Sequence, residues 1–181
     1  IKTLMITSPS PMEGKSISIS NLSILFALKD LKVLLIDLDL RKPKLHTIFH
    51  MDRKPGLYEA LNHPDEPSSK YVKKSPIPNL NVFTVGDMMD KPAEILGSEK
   101  FNRYLEKLKN EYDMILIDTP PVNVVTDAAL ISTKVDGVLI VMSALQPNKS
   151  SAKYCLELLN RVKANVLGIL LNKILISKRY G

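Results

Sequence analysis

Ser8-Pro9-Ser10-Pro11-Met12-Glu13-Gly14-Lys15-Ser16 is the stretch on which the fold of this chain turns. It follows the apolar run Leu4–Thr7 and opens a helical pattern, which is the setting a phosphate-binding loop requires. A helix N-terminus leaves backbone N–H groups unpaired and carries a partial positive charge, and a triphosphate fits that field. Gly14 lets the backbone approach the phosphates, Lys15 can bridge the β and γ phosphates, and Ser16 can offer its hydroxyl to Mg2+. The usual G-x-x-x-x-G-K-[ST] pattern has glycine where Pro9 stands. Taken alone, Gly-Lys-Ser after an apolar run also fits an ordinary strand-to-helix turn with Ser16 near the cap.

Two further stretches narrow that choice. Leu34-Leu35-Ile36-Asp37-Leu38-Asp39 sets an aspartate at the carboxyl end of an apolar run and a second two residues on, and Met114-Ile115-Leu116-Ile117-Asp118 ends another run the same way. Ligands of doubly wound sheets sit at the carboxyl ends of the strands. A carboxylate placed there is costly to desolvate, so a cation is its natural partner. Either aspartate alone also suits a helix cap or a turn. The three motifs together, each at a strand end, point to a nucleotide–metal site.

Leu4–Thr7, Val33–Asp37, Met114–Asp118, Val138–Val141 and Val166–Leu171 are continuous apolar runs without alternation, as in strands buried on both faces of a parallel sheet. Helical patterns lie between them. Ser16–Lys29 carries Ile19, Leu22, Phe26 and Leu28; Glu99–Asn110 carries Phe101, Leu105 and Leu108; Lys149–Val162 carries Tyr154, Leu158 and Val162. The alternation predicts an α/β fold with a mostly parallel central sheet flanked by helices on both faces, and the loop before Lys15 marks it as a candidate P-loop NTPase. Residues 62–80, with Pro64, Pro67, Pro76 and Pro78, read as a loop or a short helix between loops. No repeat or low-complexity tract is present, so residues 1–181 read as a single domain.

Composition bounds the function. Apolar residues at 45% and charged residues at 24% exclude a disordered chain. A single cysteine, Cys155, excludes an internal disulfide and a cysteine zinc cluster, and His46, His50 and His63 form no metal signature. The formal charge of +6 suits a phosphate-rich ligand, an anionic partner, or solubility alone. Lys70, Lys73 and Lys74 read as a solvated basic face. With only Tyr71 among them they lack the interleaved aromatics of a nucleic-acid surface, and no nucleic-acid partner is expected. No run approaches the ~20 apolar residues of a membrane span, and Ile1–Thr7 reads as a strand, not a signal peptide. The start at Ile1, without methionine, is expected to lie inside a longer natural protein.

The sequence resembles the bacterial tyrosine kinases of capsule and exopolysaccharide synthesis, in particular the separate cytoplasmic CapB/CpsD-like kinases. The resemblance rests on Pro11–Ser16 (Walker A), Val33–Pro43 with its Asp-x-Asp-x-Arg pattern (Walker A′) and Ile115–Pro121 (Walker B). Gly56-Leu57, Glu94–Ser98, Val124–Ala128 and Val166–Lys173 support it. It implies a fold related to the ParA/MinD ATPases, with ATP/ADP and Mg2+ as cofactors and transfer of the γ-phosphoryl to tyrosine. Carried over by residue, Lys15, Asp37 and Asp39 would be catalytic. Gly14, Lys15, Ser16 and Asn172 would bind nucleotide, with Asn172 facing adenine, and Ser16, Asp37, Asp39 and Asp118 would organise Mg2+. Arg41 matches the family's arginine; the basic stretch Arg41–Lys44 could touch phosphate or a neighbouring subunit, or be a solvated basic turn.

The resemblance also implies a transmembrane adaptor in a separate chain, self-association, protein tyrosine substrates, and a peripheral place at the inner face of the cell membrane. Four features depart from the family. Met12 stands where glycine is usual, with a Cβ expected to crowd the loop or to block a positive φ; Ile17 stands where threonine is common. The stretch around Pro92 holds one proline, and the end carries one tyrosine, Tyr180, in place of a cluster. Tyr180 is the candidate phosphoacceptor, and the upstream oligomerisation helix and downstream tyrosine cluster are expected to be missing. Two alternatives stand beside the kinase: a positioning or partition ATPase without kinase activity, and a degenerate nucleotide-binding regulatory partner. Those ATPases carry a signature lysine where this chain has Ser10.

Overall fold

A computed structural model describes residues 1–145 and 147–174. Its strands are β1 (Thr3–Thr7), β2 (Val33–Asp37), β3 (Lys73–Lys74), β4 (Leu80–Phe83), β5 (Met114–Asp118), β6 (Gly137–Ser143) and β7 (Val166–Asn172). Its helices are α1 (Lys15–Ala27), α2 (Leu45–Ile48), α3 (Leu57–Asn62), α4 (Pro92–Gly97), α5 (Glu99–Glu111), α6 (Asp127–Ser132) and α7 (Lys149–Arg161). The five apolar runs all became strands, and the fold is the expected α/β P-loop architecture. The strands form one sheet in the order β3-β4-β2-β5-β1-β6-β7, parallel throughout except for β3.

The central strands divide their residues between two cores, because successive side chains point to opposite faces. Met5, Leu34, Ile36, Ile115 and Ile117 enter one core with buried residues of α3, α4, α5, α6 and α7. Leu4, Ile6, Val33, Leu35 and Leu116 enter the other, against Ile19 and Ala27 of α1 and Leu45 of α2. Full burial of both faces is why these strands read as unbroken apolar runs.

Three local expectations need correction. Leu80–Phe83, not foreseen as a strand, is β4 beside β2, and the proline-rich segment before it holds a 3-10 turn at Ser68–Lys70 and the antiparallel strand β3. In α1, Leu28 lies beyond the helix and is 65% exposed, while Ser20 and Ser23 face inward. The serines are accommodated because each hydroxyl bonds a carbonyl of its own helix, that of Ser16 at 2.7 Å and of Ser20 at 2.7 Å. Lys73 is not part of a solvated face: its ammonium bonds the Thr84 hydroxyl at 3.0 Å and the Pro55 carbonyl. Burial lowers its pKa. Lys70 does stay at the surface, paired with Glu66. At the far edge, β7 leaves Leu167, Ile169, Leu170 and Leu171 exposed. No helix among the described residues is long and apolar enough to cross a membrane.

Candidate active site

The loop of residues 8–14 crosses from the carboxyl end of β1 to the first residue of α1. Gly14 caps the helix with φ 96° and ψ 20°, a left-handed conformation that glycine adopts without penalty. A Cβ there would lie 2.0 Å from Asn172 Nδ2. Met12 also has a positive φ, 63°, so the loop makes the turn expected of glycine with an L residue in place. The expected crowding does not arise, because the methionine side chain is turned outward, 85% exposed. The cost is local backbone strain, of order 1–2 kcal/mol.

The loop is tied down from three strand ends. The Glu13 carboxylate accepts from Ser143 N at the end of β6, and the Glu13 carbonyl accepts from Asn172 Nδ2 at the end of β7, 3.0 Å. Lys173 Nζ donates to the Met12 carbonyl at 2.6 Å. Below, Val122 N reaches the Ser8 carbonyl at 3.0 Å, joining the loop to the segment after β5. Asn172 thus lies against the loop with its amide engaged by Glu13. Beside it, a cleft of about 940 Å³ opens between the loop, the end of β6 and the start of α7, lined by Met12, Glu13, Ser143, Asn148, Lys149 and Lys173 among others.

On the other flank, β5 sits between β1 and β2, and Asp37 and Asp118 are direct partners across the β2–β5 ladder. Both are buried, at 0% and 1% exposure. Burial raises the pKa of each, most of all, and the Asp118 charge adds to the rise at Asp37. Their surroundings differ. Asp37 Oδ2 accepts from Lys44 N at 2.9 Å and Leu45 N at 3.0 Å, capping the start of α2, and its Oδ1 accepts from Asp39 N at 3.2 Å. Among the described residues, neither oxygen of Asp118 has a hydrogen-bond partner within bonding geometry. The Ser16 hydroxyl and the Lys15 ammonium are near enough to pull the Asp118 pKa back down.

Asp39 is half-buried and accepts from Lys42 N at 3.0 Å. Burial raises its pKa, and Lys15 opposes the rise. Lys15 itself is 8% exposed, and among the described residues it makes no ion pair. A buried ammonium facing buried carboxyls, one with both oxygens unpartnered, is a donor set matching a divalent cation and a phosphate chain. No three carboxylates or histidines converge into an all-protein metal cage among the described residues.

Arg41 pairs within the chain: its Nε donates to Asp127 Oδ2 at 2.9 Å and its Nη2 to Oδ1 at 3.3 Å. The role of Asp127 was hidden in the sequence, since the partners lie 86 residues apart and only its place in the Val124–Ala128 stretch marked it. Tyr180 lies outside the described residues. Of the other tyrosines, Tyr71, Tyr104 and Tyr112 are buried, Tyr58 is half-buried, and Tyr154 is exposed on α7.

Comparison with known proteins agrees with this geometry. The chain matches the family model described as AAA domain over residues 12–174. It is 39% identical to CapB of Staphylococcus aureus, over 98% of this chain and 78% of that protein. It is 37% identical to the tyrosine-protein kinase YwqD of Bacillus subtilis, over 100% of this chain and 77% of that one. Among solved structures, the chimerical protein CapA2B2 superimposes with a TM-score of 0.92 at 34% identity, over 96% of this chain and 76% of that one. With the loop, the paired strand-end aspartates and a tyrosine-protein kinase aligned along its whole length, the chain belongs to the family of bacterial tyrosine-protein kinases.

Proposed function

We propose that this kinase binds ATP with Mg2+ at the site described and transfers the γ-phosphoryl group to tyrosine, including tyrosines of its own copies. We propose further that it acts in capsular or extracellular polysaccharide synthesis, held at the inner face of the membrane by a transmembrane adaptor in a separate chain. The observation that carries the nucleotide reading is Asp118, a buried carboxyl at a strand end with both oxygens unpartnered beside Lys15 and Ser16. Self-association and a tyrosine acceptor at Tyr180 belong to the same proposal.

The division of labour follows from the side chains. Loop N–H groups and the N-terminus of α1 receive the phosphates, and Lys15 neutralises the β and γ oxygens. The cleft lined by Lys149 and Lys173 takes the rest of the nucleotide, with Asn172 at its edge. Ser16 and Asp118 would hold Mg2+, with Asp37 and Asp39 around it. When bound, the metal would supply neutralisation of the charge that develops on the transferring phosphoryl group. The incoming phenol oxygen bonds to the γ-phosphorus as the bond to the ADP oxygen breaks, and its proton passes to a carboxylate, for which Asp39 is the more accessible candidate. Asp37, held by three backbone N–H groups, acts mainly by fixing the loop around the site.

Incubation with ATP and Mg2+, read by phosphotyrosine mass spectrometry, tests the proposal. Phosphotyrosine is expected from wild type with its adaptor and not from Lys15→Met. Phosphate release with no phosphotyrosine would instead favour a positioning ATPase.

A further inference from the structure

We propose that Asp127 is a positioning residue of the nucleotide–magnesium site, acting through Arg41; this rests on the nucleotide-binding reading above. Asp127 opens α6 and is 0% exposed, and its recorded side-chain bonds are the two from the Arg41 guanidinium. The pairing uses both carboxylate oxygens and two nitrogens of the fork, so it fixes direction as well as distance. Arg41 stands two residues after Asp39, in the loop of residues 38–44 that follows β2.

That loop is anchored at its ends by Asp37, which bonds Asp39 N, Lys44 N and Leu45 N. Leu38 N also bonds the Asp118 carbonyl at 2.8 Å. Between those ends, the tie to another element is Arg41 to Asp127. The same tie reaches α6, which follows directly on the segment after Asp118. It therefore holds the strand-end carboxylates of β2 and β5 in one frame. It also engages the guanidinium in a pairing that a phosphate contact would have to break. Asp127 touches no reacting atom in this arrangement; it sets where Asp39 lies.

The test is ADP binding by calorimetry at a series of Mg2+ concentrations, with thermal melts, for wild type, Asp127→Asn, Arg41→Lys and the double variant. Each single variant is expected to raise the Mg2+ midpoint about tenfold. ADP affinity without Mg2+ should stay within about twofold of wild type. The double variant should be no worse than the poorer single one, as expected of two groups acting through one contact. An unshifted midpoint in an Asp127→Asn protein that melts like wild type would overturn the proposal. So would an Arg41→Lys protein that loses Mg2+-free ADP affinity while Asp127→Asn keeps it, since Arg41 would then touch phosphate directly. If Asp127→Asn fails to fold, Arg41→Lys at a half-exposed side chain carries the same comparison, and an unshifted midpoint there is equally decisive. Wild type that binds no ADP with Mg2+ would instead remove the nucleotide reading itself.

Discussion

Replacing Gly14 with alanine probes the joint between the phosphate loop and the end of β7. Two costs follow from the geometry. At φ 96° an L residue is strained, by about 1–2 kcal/mol. The new methyl would also start 2.0 Å from Asn172 Nδ2. The amide must retreat by roughly 1.4 Å to reach ordinary contact, which breaks its 3.0 Å bond to the Glu13 carbonyl. That lost bond is worth about 1 kcal/mol. The expected loss is about 2–3 kcal/mol in all, or roughly 5–10 °C in a domain of this size. Urea denaturation of Gly14→Ala, Asn172→Ala and the double variant separates the two costs. Asn172→Ala alone forfeits the bond; in the Gly14→Ala background it also removes the clash. The double variant should therefore be better than additive by about 1 kcal/mol. Strict additivity, or a Gly14→Ala protein as stable as wild type, would refute the steric argument.

Three other outcomes are expected. In metal-free protein, Asp37 and Asp118 hold protons more tightly when folded than unfolded. Stability should accordingly fall as pH rises from about 5 to 8, and Mg2+, by binding the ionised form, should flatten the slope. A metal-free profile that rises over that range in denaturant titrations would contradict the burial argument. Lys15→Met should weaken Mg2+-ADP binding by about 100-fold, near 2.7 kcal/mol by calorimetry; retention of wild-type affinity would show that the ammonium does not meet phosphate. Tyr104→Phe removes a buried hydroxyl with no partner among the described residues, so stability should be unchanged or higher by up to about 1 kcal/mol. A clear loss on thermal melting would reveal a bond that the structure does not record.

Much of this was legible in the residues. The apolar runs at β1, β2, β5 and β6 announce themselves because parallel strands in a covered sheet need no polar face; β7 reads the same way although Leu167, Ile169, Leu170 and Leu171 are exposed. β4 carries no such signal, because Asn81 interrupts a run of only four residues and finds a partner in the Tyr112 hydroxyl, 3.1 Å away. The chemical identity of the site was visible in Gly14-Lys15-Ser16, Asp37 and Asp118, since each closes or follows an apolar run. Their arrangement was not: nothing local says that β5 inserts between β1 and β2. The ties from Ser143, Asn172 and Lys173 to the loop span 130, 159 and 161 residues, beyond any local pattern. Met12 was legible as a departure from glycine, but only the backbone shows how it is tolerated, with its side chain released to solvent.

The pairing of Asp37 with Asp118 at the last rungs of neighbouring strands also bears on how the chain can change length. Side chains alternate between the two faces of a strand, so one residue inserted inside β2 would send Asp37 into the opposite layer while Asp118 stayed in place. The same insertion at Asn62–Pro64, where all three residues are exposed, would be absorbed at the surface. Lineages of this chain are therefore free to lengthen or shorten their turns, whereas the stretch from Val33 to Asp37 admits substitution but not insertion.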